Sequence, residues 1–266
     1  MKVRGASLKM DKIMHKVEIV VDTTMEQAHQ TYSLLNGEVR RWQDERGSFW
    51  MSELSPAETP PYYPLVDFPE MVVLELWKRL NRVIGVLVPE SGLRETWNEF
   101  KAGQPVSDPE VLSSLQIALS GIAHLSRTRI METKKAMFNA PLPDSDEAQS
   151  SGCPICGESA ALSVLTPPNG KRCLHCTLCG HEWPTTRVGC IRCGTEEASD
   201  QDYLKSEEFP GIEVVACEAC GQYFKELDLR VLSVTDYIWE DVRTLPLNYA
   251  AEQWLADHAK ASGKVQ

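Results

Sequence analysis

The distribution of cysteines constrains this chain more than any other feature. All nine fall between Cys153 and Cys220, and eight of them make four Cys-x-x-Cys pairs: Cys153/Cys156, Cys176/Cys179, Cys190/Cys193 and Cys217/Cys220. Each second cysteine is followed by glycine, at Gly157, Gly180, Gly194 and Gly221. Two cysteines three apart grip one side of an ion when the backbone beneath them turns sharply and aims its N–H groups at the thiolates. A residue at positive φ completes that turn, and glycine adopts it without Cβ strain. A single pair says little, but four with glycine point to metal chelation. The N-terminus has scattered charges where an export signal would have an apolar stretch, which argues against a disulfide framework.

Each knuckle offers two ligands, so a tetrahedral four-thiolate site needs two knuckles joined by a hairpin. The gaps allow it. Ala161 to Leu165 and Lys171 to His175 predict strands around the turn Pro167-Pro168-Asn169-Gly170. Tyr203 to Ser206 and Ile212 to Ala216 do the same around Phe209-Pro210-Gly211, so the ribbon unit is duplicated. Two pairings are open. In the sequential one, Cys153, Cys156, Cys176 and Cys179 hold one ion and Cys190, Cys193, Cys217 and Cys220 the other; in the interleaved one, the first and third pairs share an ion. Two metal ions are expected, iron or zinc, because four thiolates suit either. A site closed by four protein ligands leaves no position for hydrolytic chemistry, but supplies on the order of 10 kcal/mol of folding energy. Iron would add one-electron chemistry.

Cys173 is left over and reads as a half-buried structural thiol on the same strand face as His175. His175 is expected to donate a hydrogen bond to a ligand sulfur, Trp183 to pack under a knuckle, and Arg187 to meet thiolate charge or the sheet edge.

Before Cys153 the chain reads as helices. Met25, Ala28, Tyr32, Leu35, Val39 and Trp42 recur at helical spacing within Thr24 to Arg46. Pro56, Pro60, Pro61, Pro64 and Pro69 predict an extended connection over Ser55 to Pro69. Further helices are expected over Phe68 to Val88, over Leu93 to Lys101, and from a cap at Asp108 to Phe138. Trp42, Trp50, Trp77 and Trp97 read as core, His29 and His124 as structural, and Arg127, Arg129, Lys134 and Lys135 as a solvated helix end. No catalytic constellation and no phosphate-cradling glycine loop stands out.

Charge narrows the partners. The 266-residue chain carries a net charge of -11, and residues 151–224 contain ten acidic and five basic side chains. Four-thiolate sites add further negative charge, so nucleic acid is excluded as an expected partner. No apolar run is long enough to span a membrane, so no membrane insertion and a cytoplasmic location are expected.

The runs Cys153-Pro154-Ile155-Cys156-Gly157, Leu174-His175-Cys176-Thr177-Leu178-Cys179, Glu182-Trp183, and Arg187-Val188-Gly189-Cys190-Ile191-Arg192-Cys193 appear in an order that resembles the FdhE family of formate dehydrogenase accessory proteins. Cys217 to Lys225 resembles that family's closing strand, and Asp241 to Asn248 stands where its C-terminal helix motif lies. The resemblance implies an α+β multidomain architecture. It has an α-helical domain (1–139), a linker (140–151), two rubredoxin-like or zinc-ribbon modules (152–188 and 189–228) and a C-terminal strand and helix tail (229–266). It also implies a non-enzymatic, cytoplasmic maturation factor that binds the catalytic subunit of formate dehydrogenase, its oligomeric state left open. An iron redox protein and a zinc-ribbon nucleic-acid module are the alternatives, the second disfavoured by charge.

Overall fold

The structure, a computed structural model, describes residues 18–106, 108–138 and 152–261; the linker expected over 140–151 lies outside them. Four helices come first: α1 (Glu18–Glu53), α2 (Glu70–Val83), α3 (Glu90–Lys101) and α4 (Pro109–Phe138). The first is longer than its apolar spacing predicted. It continues past Arg46 because Trp50 is buried and no proline intervenes before Pro56. The second is shorter than the apolar run 68–88, because Gly85 at φ 74° closes it: Gly85 N–H donates to Arg82 O and Val86 N–H to Asn81 O.

Trp42, Trp77 and Trp97 have no exposed surface and Trp50 is 8% exposed, so all four tryptophans are core. Their rings sit among Leu74, Leu76, Leu80, Leu93, Leu115, Leu119 and Ile122. Trp42 Nε1 donates to Glu75 at 2.9 Å and Trp77 Nε1 to Ser114 at 2.8 Å, satisfying the indole N–H groups that burial would otherwise strand. Helix packing is close at Gly121 of α4, where an added Cβ would come within 2.8 Å of Leu76 and 2.9 Å of Val39.

The strands are β1 (Leu162–Thr166), β2 (Lys171–His175), β3 (Glu182–Pro184), β4 (Gln201–Lys205), β5 (Ile212–Cys217) and β6 (Gln222–Asp228). They form one sheet in the order β3-β2-β1-β6-β5-β4. Each half repeats knuckle, strand, strand, knuckle, strand, with antiparallel pairing throughout. The halves join through β1 and β6, which run parallel with Leu162 opposite Lys225 and Leu165 opposite Asp228. The duplication therefore yields a continuous sheet in which two ribbons share an edge.

Alternation along the strands gives the sheet two buried faces. Leu174, Val215 and Phe224 face the helices and belong to the same core as the tryptophans. Leu162, Leu204, Ile212, Val214 and Leu227 face Leu247, Ala250 and Ala251. Those last residues belong to α6 (Leu245–Ala261), which follows α5 (Tyr237–Arg243) after a break at Thr244, so the single C-terminal helix motif expected near 241–248 spans two helices. Asp236 caps α5, accepting from Ile238 N–H and Trp239 N–H at 3.0 Å, and also accepts from Tyr32 Oη of α1 at 2.8 Å. Trp239 lies 4.5 Å from His29, which is thus a packing histidine.

The seam between the ribbons carries buried charge. Arg172 Nε lies 2.9 Å from Glu226 Oε2, too poorly aligned for a hydrogen bond, so their attraction is electrostatic. Ser163 donates to the same oxygen at 2.8 Å, Arg172 donates to Gly189 O at 2.9 Å, and its guanidinium sits 4.9 Å from the Phe224 ring. Removing one partner of such a pair strands a charge in the interior. Glu226→Ala is therefore expected to cost about 3 kcal/mol of stability, measured by urea unfolding of the metal-loaded protein.

Candidate metal centres

The four knuckles share one local geometry. Gly157, Gly180, Gly194 and Gly221 have φ of 82°, 68°, 76° and 67°, and each N–H donates at 2.9 Å to the carbonyl of the first cysteine of its pair. Repetition of the bond shows what the glycine does: it lets the chain reverse over the two sulfurs. Cys179 N–H donates to Cys176 Sγ at 3.4 Å and Arg192 N–H to Cys190 Sγ at 3.3 Å, placing amide dipoles on sulfur.

The hairpins bring the sulfurs together sequentially: Cys153, Cys156, Cys176 and Cys179 in one group, Cys190, Cys193, Cys217 and Cys220 in the other, each with all sulfurs within 4.8 Å. The interleaved arrangement is not what the fold builds. Sulfur separations are 3.5 Å for Cys153/Cys179 and 3.4 Å for Cys156/Cys176. In the second group they are 3.8 Å for both Cys190/Cys220 and Cys193/Cys217. These are non-bonded distances, far beyond a disulfide. A tetrahedron with metal–sulfur bonds of about 2.3 Å has edges of about 3.8 Å, so the donor set fits a thiophilic ion.

Electrostatics makes the same point. Hydrogen bonding from Cys153 and its neighbours pushes the Cys176 thiol down, while contacts with Cys153 and Cys176, together with burial, push Cys156 and Cys179 up. Four sulfurs this close in a buried group resist joint ionisation. A divalent cation would remove that resistance by drawing charge from all four sulfurs.

The first group is walled by the helices. Tyr62 N–H and Tyr63 N–H of the proline-rich segment donate to Pro154 O at 3.1 Å and Ile155 O at 2.7 Å. Ser120 Oγ of α4 donates to Leu178 O at 2.8 Å. His124 and Arg127 press on Gly180, where an added Cβ would meet His124 Nε2 at 3.0 Å and Arg127 at 3.3 Å. Burial lowers the His124 pKa, and burial together with the Arg127 charge holds His181 down at about 4, so both rings are neutral near pH 7.

Arg127 is accordingly not part of a solvated helix end. Because α4 runs on to Phe138, Arg127 falls within the helix, facing the second knuckle. His175 likewise does not bond to sulfur: its Nδ1 lies 3.2 Å from Glu182 Oε1 and its ring 4.3 Å from Tyr237. Arg187 donates to Asn169 O at 3.1 Å and also to Gly170 O, clamping the β1–β2 turn. Trp183 is buried in the core beside the first group, its ring stacked on His181. Cys173 belongs to neither group; it is half-buried opposite Val164 and Pro184, with burial raising its thiol pKa.

No family model matches the chain. It is 34% identical over 106 residues to the FdhE homolog of Aquifex aeolicus and 38% identical over 105 residues to that of Edwardsiella ictaluri. The matched segment spans 38% of this chain in both cases, and 37% and 33% of those relatives. The crystal structure of the FdhE protein from Pseudomonas aeruginosa superposes with a TM-score of 0.51 at 17% identity, covering 84% of this chain and 80% of that one.

Over about a hundred residues the chain is similar in sequence to FdhE homologs, and its fold is similar to that of an FdhE protein. The sequence matches cover about a third of each FdhE relative, and the structural match extends the shared fold over most of the length. An FdhE-like fold with a helical domain and two four-cysteine ribbons is thus the architecture of this chain.

The two knuckle glycines of contrasting surroundings separate conformation from packing. Gly194→Ala is expected to cost about 1–2 kcal/mol, the price of left-handed backbone alone, since nothing lies within 4 Å of its added methyl. Gly180→Ala, which also drives a methyl onto His124, is expected to cost measurably more by chemical denaturation of the metal-loaded variants.

Proposed function

We propose that this protein is a cytoplasmic accessory factor for maturation of a formate dehydrogenase. It binds the enzyme's catalytic subunit through a scaffold fixed by two metal ions and catalyses no reaction of its own. The observation that carries this reading is the pair of four-sulfur groups, built into one sheet within an FdhE-like fold. The eight ligands are Cys153, Cys156, Cys176 and Cys179 for one ion, and Cys190, Cys193, Cys217 and Cys220 for the other. Iron and zinc both fit four thiolates, and either would tie the two knuckles of each ribbon together.

Several features favour a binding role. Four protein sulfurs complete a tetrahedron, which leaves a substrate no coordination position. The sheet is clasped on one face by the α1–α4 helices and on the other by α5 and α6, giving a rigid body with a broad surface for a large client. The chain's net charge of -11 disfavours a polyphosphate partner. No described helix is long and apolar enough to cross a membrane.

Anaerobically purified protein is expected to hold about two ions per chain, with sulfur-only first-sphere scattering in X-ray absorption. Nitrogen ligands, or one ion, would overturn the ligand assignment. Cells lacking the protein are expected to lose most of their formate dehydrogenase activity, and Cys176→Ser, which opens the buried group, should fail to restore it. A pull-down with the intact protein should recover the catalytic subunit. Full activity in its absence would defeat the maturation reading. Reversible one-electron reduction of an iron-loaded sample coupled to a turnover would favour the redox alternative.

A further inference from the structure

The two sulfur groups are alike in local build and unlike in access. In the first group all four cysteines are buried, none above 2% exposed. In the second, Cys190 and Cys217 are buried against the shared core, but Cys193 is exposed and Cys220 only partly covered. The knuckle glycines report the same contrast. Methyl groups built on Gly157 and Gly180 would meet Pro61 and His124, whereas those on Gly194 and Gly221 would meet nothing within 4 Å among the described residues.

We propose that the second group is an ion-exchange site, with Cys193 as the sulfur that entering ligands displace, whereas the first group keeps its ion for as long as the helices stay docked. The inference rests on the reading that each group binds a metal ion, and adds to it a division of labour. A ligand can enter a four-thiolate centre only along a path between sulfurs that solvent can reach. Such a path exists beside Cys193 and Cys220, where the second cysteine of each pair turns outward. None exists at the first group, whose knuckles are hydrogen-bonded to Tyr62, Tyr63 and Ser120 of the helical domain. Opening it means separating the ribbon from the tryptophan core, a much larger local unfolding.

The chemistry points to an entering thiol or another soft donor. An entering thiol gives up its proton as its sulfur takes the position, and the departing Cys193 sulfur takes up one proton, so the charge of the group is unchanged. Glu196, Glu197 and Glu218 on the surrounding surface attract incoming cations.

The test uses full-length protein loaded with zinc, its metal content measured first. A chromogenic zinc chelator, 4-(2-pyridylazo)resorcinol, is expected to remove one ion about tenfold faster or more than the other. Through the fast phase, amide-exchange protection of α4 and β1–β3 should persist. Brief N-ethylmaleimide labelling during that phase, read by peptide mass spectrometry, should mark Cys193 and Cys220 before any cysteine of the first group. In Cys193→Ser the fast ion should be absent or faster still while the slow ion is unchanged. Two ions leaving at one rate, or first labelling at Cys153, Cys156, Cys176 or Cys179, would overturn the inference alone. Fewer than two ions in the starting protein would refute the metal-binding reading beneath it.

Discussion

Mutual repulsion of thiolates governs this structure. Four sulfurs at 3.4–3.8 Å from their nearest partners cannot all be ionised in a dry interior, yet neutral thiols would exert little force to hold two hairpins together. A cation converts that liability into the strongest local attraction in the ribbon. The knuckle geometry is arranged around this requirement. Backbone N–H groups face sulfur, and glycine supplies the reversed turn that brings them there.

Dependence then passes outward from sulfur to sheet and from sheet to helix. The first group lies under the same apolar core as Trp42, Trp77 and Trp97, so helices and first ribbon exclude water from each other. The second ribbon is attached by the parallel β1–β6 pairing, by the Arg172–Glu226 contact and by Arg172's hydrogen bond to Gly189 one residue before Cys190. Lys225 adds a tie on the opposite face: its buried ammonium donates to Asp241 O at 2.7 Å and pairs with that carboxylate at 2.8 Å. Strain at either sulfur group is therefore transmitted to the seam, and the C-terminal helices lock the arrangement by docking Trp239 and Asp236 on α1.

Local chemistry was legible in the sequence wherever spacing alone fixes geometry. The knuckles, the two hairpins and the cores of the helices follow from cysteine, glycine, proline and apolar periodicity, which act within a few residues. What could not be read there depends on distant partners. The fusion of two ribbons into one sheet needs the β1–β6 contact, some sixty residues apart in the chain. Arg127 and His124 look like ordinary helix residues until α4 is placed against Gly180. The one available hint was the uninterrupted helical pattern to Phe138, which puts Arg127 within the helix and not at its end. His175 had two plausible acceptors, a neighbouring sulfur and a carboxylate on the adjacent strand, and strand pairing with Glu182 decided between them.

Duplication also explains how one motif can serve two ends. The repeat unit specifies ligands, turn and strand order, and these are the same in both halves. It does not specify what covers the sulfurs. The first copy has its knuckles pressed against Pro61, Tyr63, Ser120 and His124, so an ion held there would act with the core as a structural staple. The second is held at the first cysteine of each pair and left open at the other, because no described helix reaches Gly194 or Gly221. Changes on the surface of the helical domain, without altering any cysteine, can thus set how closely each sulfur group is covered.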